Sequence, residues 1–162
     1  MSQTKVVTLG CRLNMFESEI IRSHAKKAGL KNSVIINSCA VTAEAERNVR
    51  KTIRRIKREK PNAQIIVTGC AAQLNPNFFS NMLEVDQVIG NKEKLDFSNY
   101  RTLSQNKIMT NVSDIQSADK NVVNPIKGIA GKSRAFVQIQ QGCNHRCTFC
   151  IIPFARGPNR SL

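Results

Sequence analysis

The chain has 162 residues, enough for one ordinary domain and little more, and its hydrophobic content of 41% is typical of a globular protein. No apolar run approaches the roughly 18 residues that cross a bilayer, and the first residues lack a secretion signal, which excludes a membrane partner and favours the cytosol. Lys and Arg number 25 against 11 Asp and Glu, and this formal charge of +14 favours a polyanionic partner such as nucleic acid, with a merely soluble basic surface as the alternative.

The first part of the chain alternates short apolar strands with amphipathic helices. The pattern predicts strands at residues 6–9, 34–36, 65–67 and 85–89. Asn14 and Glu17 resemble a capping box that opens the first helix, which Gly29 would end. Pro61 would close the second helix and Pro76 would begin the third, with a fourth over residues 91–103. This order predicts an α/β fold with a doubly wound parallel sheet of about four strands over residues 1–103.

A composition change follows this predicted domain. Residues 104–132 are rich in Ser, Asn, Gln, Asp and Lys, which predicts a linker. A strand at residues 134–140 then leads into a cysteine-rich loop, so residues 133–162 would begin a second unit. Its apolar residues Phe136, Val137 and Ile139 would have little to pack against, and we expect this end to be poorly ordered or aggregation-prone.

Three of the six cysteines follow the first three predicted strands. They are Cys11, Cys39 and Cys70, called the first triplet below. Because parallel strands end at the same edge of a sheet, these thiols should meet there and could hold a metal centre. A reducing cytosol disfavours disulfides between them. The alternative is three small buried cysteines that cap the core.

The other three cysteines form a compact motif. Cys143, Cys147 and Cys150, the second triplet, have Cys-x3-Cys-x2-Cys spacing. Three thiolates this close can hold three irons of a cubane cluster and leave the fourth iron open. Zinc bound by these cysteines and His145 is the alternative, but the single residue on each side of His145 would strain a tetrahedral site. We assign no role to His145 or His24.

The two triplets together carry a family resemblance. The spacing of the second triplet, with an aromatic residue before its last cysteine, is similar to the radical S-adenosylmethionine signature. With the first triplet added, the chain resembles the methylthiotransferases that act on tRNA or on a ribosomal protein. The segments TLGCRLNMFESE, NSCAVTAEAER and VTGCAAQ are most similar to the branch that acts on threonylcarbamoyl-adenosine beside the tRNA anticodon.

The resemblance implies two [4Fe-4S] clusters and S-adenosylmethionine as cofactors. The second triplet would hold the cluster that binds S-adenosylmethionine and, when reduced, cleaves it to a deoxyadenosyl radical that abstracts hydrogen from the adenine ring. The first triplet would hold an auxiliary cluster that carries the sulfur to be inserted. A second S-adenosylmethionine would supply the methyl group. The implied partners are tRNA and a flavodoxin- or ferredoxin-like electron donor, and no further residue is assigned a catalytic role.

The chain departs from the family at its end. Members continue into a barrel and a small RNA-binding β-domain, whereas this sequence stops at Leu162. We therefore expect an N-terminal cluster-binding domain and the incomplete start of a radical domain, with a separate C-terminal half as one further partner. The alternatives are a methylthiotransferase of another substrate, a non-catalytic iron–sulfur or RNA-binding remnant, and a zinc module.

The second predicted helix carries a concentration of positive charge. Its basic residues are Arg47, Arg50, Lys51, Arg54, Arg55, Lys57, Arg58 and Lys60. At about 100° per residue, most lie opposite the apolar face of Ala45, Val49, Ile53 and Ile56. This positive stripe could follow a tRNA backbone, with a solvated helix face as the alternative.

Overall fold

The computed structural model of the protein describes residues 3–103, 109–118, 126, 128, 129, 133 and 136–161. Its centre is a parallel sheet of five strands in the order β1-β2-β3-β4-β5. The strands are β1 (Lys5–Thr8), β2 (Ser33–Ser38), β3 (Gln64–Gly69), β4 (Gln87–Ile89) and β5 (Met109–Asn111). The predicted α/β class and parallel sheet are confirmed, with five strands where the sequence predicted about four.

Helices cover both faces of the sheet. They are α1 (Arg12–Lys27), α2 (Ala43–Glu59), α3 (Cys70–Leu74), α4 (Pro76–Ser80) and α5 (Phe97–Leu103), with 3-10 helices at Glu93–Leu95 and Ile115–Ser117. Helices α1 and α5 bury apolar side chains against one face, and α2 and α4 against the other. Successive β2 residues alternate between these two clusters because side chains of a strand point to opposite faces. Among the described residues, no helix is long and apolar enough to cross a membrane.

The order of the strands indicates which edge of the sheet suits a ligand. Strands β1, β2 and β3 are neighbours in sequence order, yet α1 and α2 lie on opposite faces. The two successive crossovers therefore have opposite hands, and one of them departs from the right-handed rule for parallel strands. The connections that leave β1 and β2 therefore diverge to opposite faces, and in open α/β sheets ligands bind beside the carboxyl ends of such strands.

Helix α1 begins earlier than the predicted capping box. Its N-cap is Cys11, and Asn14 and Glu17 lie inside the helix with no exposed surface. They fall on the same helical stripe as Ile21, which packs in the core. The capping-box prediction is therefore wrong, and these two polar side chains are part of the interior. Gly29, with φ of +69°, follows the helix end as predicted.

The stretch predicted as a linker contains part of the sheet. Strand β5 pairs with β4 inside residues 104–132, so the first unit continues beyond residue 103. A short polar edge strand has too weak a periodic pattern to be recognised from sequence. Residues 104–108, 119–125, 127 and 130–132 lie outside the described residues, and the division into domains 1–103, 104–132 and 133–162 otherwise stays a prediction.

The end of the chain has little regular structure. Residues 136–139 form no strand, residues 134 and 135 lie outside the described part, and β6 (Gln140–Gln141) pairs antiparallel with β7 (Arg160–Ser161). Between them, α6 (Ile152–Arg156) packs against α3. Val137 and Ile139 are exposed, as expected, whereas Phe136 packs against the side of α1.

Candidate metal centre

The first triplet lies at the carboxyl edge of the sheet, where the strand pattern predicted it. Cys11 follows β1 and is exposed, whereas Cys39 follows β2 and Cys70 follows β3, and both of these are buried. Because β1, β2 and β3 are adjacent, the three cysteines come from neighbouring strand ends. Adjacent strands lie about 4.8 Å apart. Folding thus places three residues that are distant in sequence at one edge of the sheet.

Gly10 lets Cys39 approach the backbone beside Cys11. Its φ is +105°, and a Cβ at this position would lie 2.6 Å from the Cβ of Cys39 and 2.7 Å from its Sγ. Glycine is the residue that adopts this conformation at little cost, and it leaves the space that the Cys39 side chain fills. The Cys39 sulfur therefore adjoins the residue immediately before Cys11.

Asn91 contacts the thiol of Cys70, the third cysteine of this triplet. Its Nδ2 lies 3.8 Å from Cys70 Sγ and donates a 2.6 Å hydrogen bond to the carbonyl oxygen of Ala155 in α6. Immediately before Cys70, Gly69 has φ of +95°, and a Cβ there would lie 2.3 Å from the Ser38 carbonyl oxygen. The pairing of the ends of β2 and β3 therefore leaves no room for a side chain at residue 69.

The second triplet lies on the loop between β6 and α6. Cys147 is exposed, and Cys143 and Cys150 are half-buried. The Cys143 amide donates to the Gly157 carbonyl at 3.1 Å, and the Cys150 amide donates to the Cys147 carbonyl at 3.0 Å. These backbone hydrogen bonds tie both ends of the loop, so the three thiols belong to one compact unit.

The donor chemistry of each triplet fits an iron–sulfur cluster. Within the described part of the chain, no three His, Cys, Asp or Glu side chains converge closely enough to hold a single metal ion. A cubane cluster is larger than an ion and binds each cysteine on a different iron, so its ligands stand farther apart. The space that Gly10 leaves for the Cys39 thiol is consistent with such a site. The use of all six cysteines as ligands stays a prediction.

A buried group of ionised side chains, which the sequence analysis missed, lies beside the first triplet. Glu17 accepts hydrogen bonds from Arg156 Nη1 at 2.8 Å, from Arg156 Nη2 at 3.2 Å and from Lys94 Nζ at 2.6 Å. None of the three side chains is more than 3% exposed. We call Glu17, Lys94 and Arg156 the buried charge cluster.

Amide side chains complete the hydrogen bonds of this cluster. The Oδ1 atoms of Asn91 and Asn37 accept from Lys94 Nζ at 2.6 and 3.4 Å, which with Glu17 gives the ammonium group three oxygen partners. Asn14 Oδ1 accepts from Arg156 Nη2 at 2.6 Å. Three acceptors match the three donors of a protonated lysine. We therefore assign Lys94 as charged, so that the cluster carries two positive charges and one negative charge.

The pKa shifts follow from this arrangement. Burial alone would raise the pKa of Glu17, but Arg156 and Lys94 outweigh it and lower this pKa from 4.5 to about 2. Burial lowers the pKa of Lys94, against the opposing effect of Glu17. Burial also disfavours the charged form of Arg156, but Glu17, followed by Cys70 and Cys11, raises its pKa. Arg156 thus lies within electrostatic reach of two thiols of the first triplet.

Comparison with known proteins identifies relatives along nearly the whole chain. The family model described as "Uncharacterized protein family UPF0004" matches residues 3–90. Threonylcarbamoyladenosine tRNA methylthiotransferase MtaB of Rickettsia prowazekii is 51% identical over 158 residues, and the match covers 98% of this chain and 37% of that protein. The protein of the same name from Bacillus subtilis is 35% identical, with 95% of this chain and 36% of the relative covered.

A second kind of relative is more distant. The tRNA-2-methylthio-N(6)-dimethylallyladenosine synthase of Christiangramia forsetii is 30% identical, and the match covers 96% of this chain and 35% of that protein. The chain thus spans little more than a third of the length of these relatives. The family model covers more than half of the chain and includes the whole first triplet. The chain therefore belongs to the uncharacterized protein family UPF0004.

Proposed function

We propose that the chain is the N-terminal part of a tRNA methylthiotransferase that acts on N6-threonylcarbamoyladenosine next to the anticodon. The supporting observation is its 51% identity, over 98% of its length, to a protein named for that activity. Identity to the dimethylallyladenosine synthase is lower, at 30%. The difference favours the threonylcarbamoyladenosine branch.

Each triplet would hold one [4Fe-4S] cluster, with S-adenosylmethionine at the second triplet. When bound, these groups would supply the radical chemistry and the sulfur atom. The protein's own contribution is to exclude water from Cys39 and Cys70, which are buried, and to leave the loop around Cys147 open to solvent. A small molecule and a flavodoxin- or ferredoxin-like electron donor can approach that loop. The reduced thiols that both sites require are available in the cytosol.

Anaerobic reconstitution with iron and sulfide tests the cluster assignment. We expect about eight irons per chain, and about four after all three cysteines of either triplet are replaced by alanine. Because each variant removes one site and keeps the other, it serves as the control for its counterpart. An iron content unchanged in the first-triplet variant would contradict the assignment.

Replacing His145 by alanine separates a cluster from zinc at the second triplet. A cluster held by three cysteines keeps its iron in this variant, whereas a Cys3His zinc site loses its fourth ligand. Metal analysis of the purified protein before and after the substitution gives the answer. Zinc in place of iron, lost on replacement of His145, would contradict the proposed cofactor.

Activity requires a test with the remaining part of the enzyme. The chain would be expressed in a bacterial strain that lacks the enzyme, alone and together with the C-terminal portion of the Rickettsia relative. Mass spectrometry of tRNA nucleosides would measure the methylthio group on threonylcarbamoyladenosine. We expect the modification only when both parts are present. Modification of dimethylallyladenosine instead would assign the chain to the other branch.

The outward face of α2 is the part of this chain that we assign to tRNA. Val49, Ile53 and Ile56 are buried as predicted, whereas Ala45 is half-buried. Three of its cations form ion pairs at the surface and Lys57 forms a partly buried one, and such pairs contribute little to stability. Lys51, Arg58 and Lys60 are exposed and form no ion pair with any described residue. The Arg50 guanidinium lies 5.7 Å from the ring centre of half-exposed Phe78. Unpaired cations suit the phosphates of tRNA, and an arginine beside an exposed aromatic ring suits a base.

The salt dependence of tRNA affinity tests this face. Each of the substitutions Lys51→Gln and Arg58→Gln should reduce the slope of log affinity against log salt by about 1 if a phosphate contact is lost. The matched controls are Lys26→Gln and Lys27→Gln, which remove exposed charges from α1 on the opposite face of the sheet. Equal slopes for the α1 and α2 variants would show that charge in general, and not this face, binds tRNA.

A further inference from the structure

The buried charge cluster connects the two parts of the chain that carry the triplets. Glu17 lies on α1 and Lys94 follows β4, whereas Arg156 ends α6, close to the loop of the second triplet. A buried ion pair is weak evidence for stability, because removing charges from water costs about as much as their attraction returns. Its best attested use is to specify one arrangement of two elements. The position of this cluster suggests such a use.

A continuous path of hydrogen bonds, with one step along the covalent backbone, links one triplet to the other. It begins at Cys70 Sγ, 3.8 Å from Asn91 Nδ2, and continues from Asn91 Oδ1 to Lys94 Nζ at 2.6 Å. Lys94 and Arg156 both donate to Glu17. Gly157, directly after Arg156, accepts the backbone hydrogen bond of Cys143 at 3.1 Å. Any displacement of α6 relative to the sheet would break this path at a buried charge.

We propose that Glu17, Lys94 and Arg156 are positioning residues that fix the loop of the second triplet relative to the sheet edge that carries the first triplet. The inference goes beyond the proposed function, because it rests on contacts between the protein's own side chains and holds for the protein without cofactors. Glu17 is the central residue, since it is the only anion and both cations donate to it.

The charges of the cluster predict an order of effects. Removing the charge of Glu17 leaves two buried cations without an anion, whereas removing that of Lys94 leaves a neutral pair of Glu17 and Arg156. The two side chains have the same burial, 0% exposed, so loss of packing alone predicts no such difference. The electrostatic role therefore predicts that Glu17→Gln releases the segment far more than Lys94→Met does.

Amide hydrogen exchange of the full chain without metal tests the proposal. In Glu17→Gln we expect exchange within residues 140–161 to accelerate by about 100-fold, because a buried charge has lost its partner, while amides of β2 and β3 keep their protection. The matched control is Glu19→Gln, two residues along the same helix, where the carboxylate pairs with Arg22 at the surface. This control should exchange like the unchanged protein.

The double variant Glu17→Gln with Lys94→Met distinguishes charge from packing. It restores a single surplus positive charge, so residues 140–161 should exchange about tenfold more slowly than in Glu17→Gln alone. A packing role predicts the opposite, because two buried side chains have then been altered. Faster exchange in the double variant than in the single variant would overturn the proposal.

Arg156→Gln covers the case in which Glu17→Gln does not fold. The substitution lies in the segment itself, so we expect loss of protection in residues 140–161 and retention of it in β2 and β3. Protection of the segment equal to that of the unchanged protein would overturn the proposal. Loss of protection throughout the sheet in both variants would overturn it too, because the cluster would then belong to the core of the fold.

Discussion

The two cysteine triplets reach their positions by different physical routes. The first is assembled from the ends of three strands, with Cys39 and Cys70 buried among neighbouring backbones. The second lies on one loop whose ends are tied by local hydrogen bonds and which exposes Cys147. The first site therefore depends on the whole sheet, whereas the second depends on its own loop and on how that loop is anchored. Substitutions in the sheet should affect the two sites unequally.

Gly10→Ala should give the largest effect and should act on the first triplet alone. The new Cβ would meet the Cys39 side chain at 2.6 and 2.7 Å, at a φ of +105°. Backbone strain and overpacking together should lower the free energy of unfolding by about 4 kcal/mol. Denaturant unfolding measures this loss. Iron analysis after reconstitution should show that the first site is lost and the second is kept.

Gly29→Ala is the matched control for this substitution. Gly29 also has a positive φ, of +69°, but a Cβ there would meet no atom within 4 Å. Only the backbone strain remains, so the free energy of unfolding should fall by about 1 kcal/mol. The iron bound at both sites should be unaffected. An equal loss in the two alanine variants would show that the contact between Gly10 and Cys39 contributes nothing.

The difference between backbone topology and side-chain packing explains which features the sequence could predict. The placement of Cys11, Cys39 and Cys70 at one sheet edge followed from a rule about parallel strands that needs no knowledge of side-chain packing. The buried charge cluster did not, because Lys94 and Arg156 are 77 and 139 residues from Glu17 along the chain. The signal available in sequence was that Glu17 falls four residues before Ile21 on the apolar stripe of α1. A polar residue on that stripe requires a buried partner, but nothing in sequence identifies it.

Acidification should have the second largest effect, and it should act on the buried charge cluster that connects the two triplets. The pKa of Glu17 is lowered from 4.5 to about 2 by Arg156 and Lys94, against the effect of burial. A carboxylate with a lowered pKa stabilises the fold above its unfolded pKa and loses this contribution as the pH falls through its folded pKa. We expect about 3 kcal/mol to disappear between about pH 4.5 and pH 2. Denaturant unfolding across this range measures it.

Glu17→Gln provides the reference for the pH experiment. Other carboxylates titrate in the same range, so the informative quantity is the difference in unfolding free energy between the two proteins. This difference should be constant above about pH 5 and should shrink toward zero near pH 2, because protonation makes glutamate neutral like glutamine. A difference that does not change with pH would show that the cluster is not held by the charge of Glu17.

Single cysteine substitutions compare the two triplets directly. Cys70 is 3% exposed and packs in the core on one face of the sheet, so Cys70→Ala should lower the free energy of unfolding by about 1–2 kcal/mol without metal. Cys147 is exposed, and Cys147→Ala should change the free energy of unfolding by less than about 0.5 kcal/mol. Both should reduce the iron bound on reconstitution. Equal stability losses would remove the distinction between a site built by the fold and a site built by a loop.

The smallest effect should come from the anchoring of the second loop to its surroundings. Arg146 donates to Gln116 Oε1 at 3.1 Å, and its guanidinium lies 5.2 Å from the ring centre of half-exposed Phe154. Because both contacts are open to solvent, Arg146→Ala should cost about 0.5–1 kcal/mol, and this loss should appear as faster amide exchange at residues 143–150 alone. The corresponding surface change Arg22→Ala on α1 should leave that loop unaffected. If Arg146→Ala accelerated amide exchange as much as Glu17→Gln does, surface contacts, and not the buried charge cluster, would hold the second triplet in place.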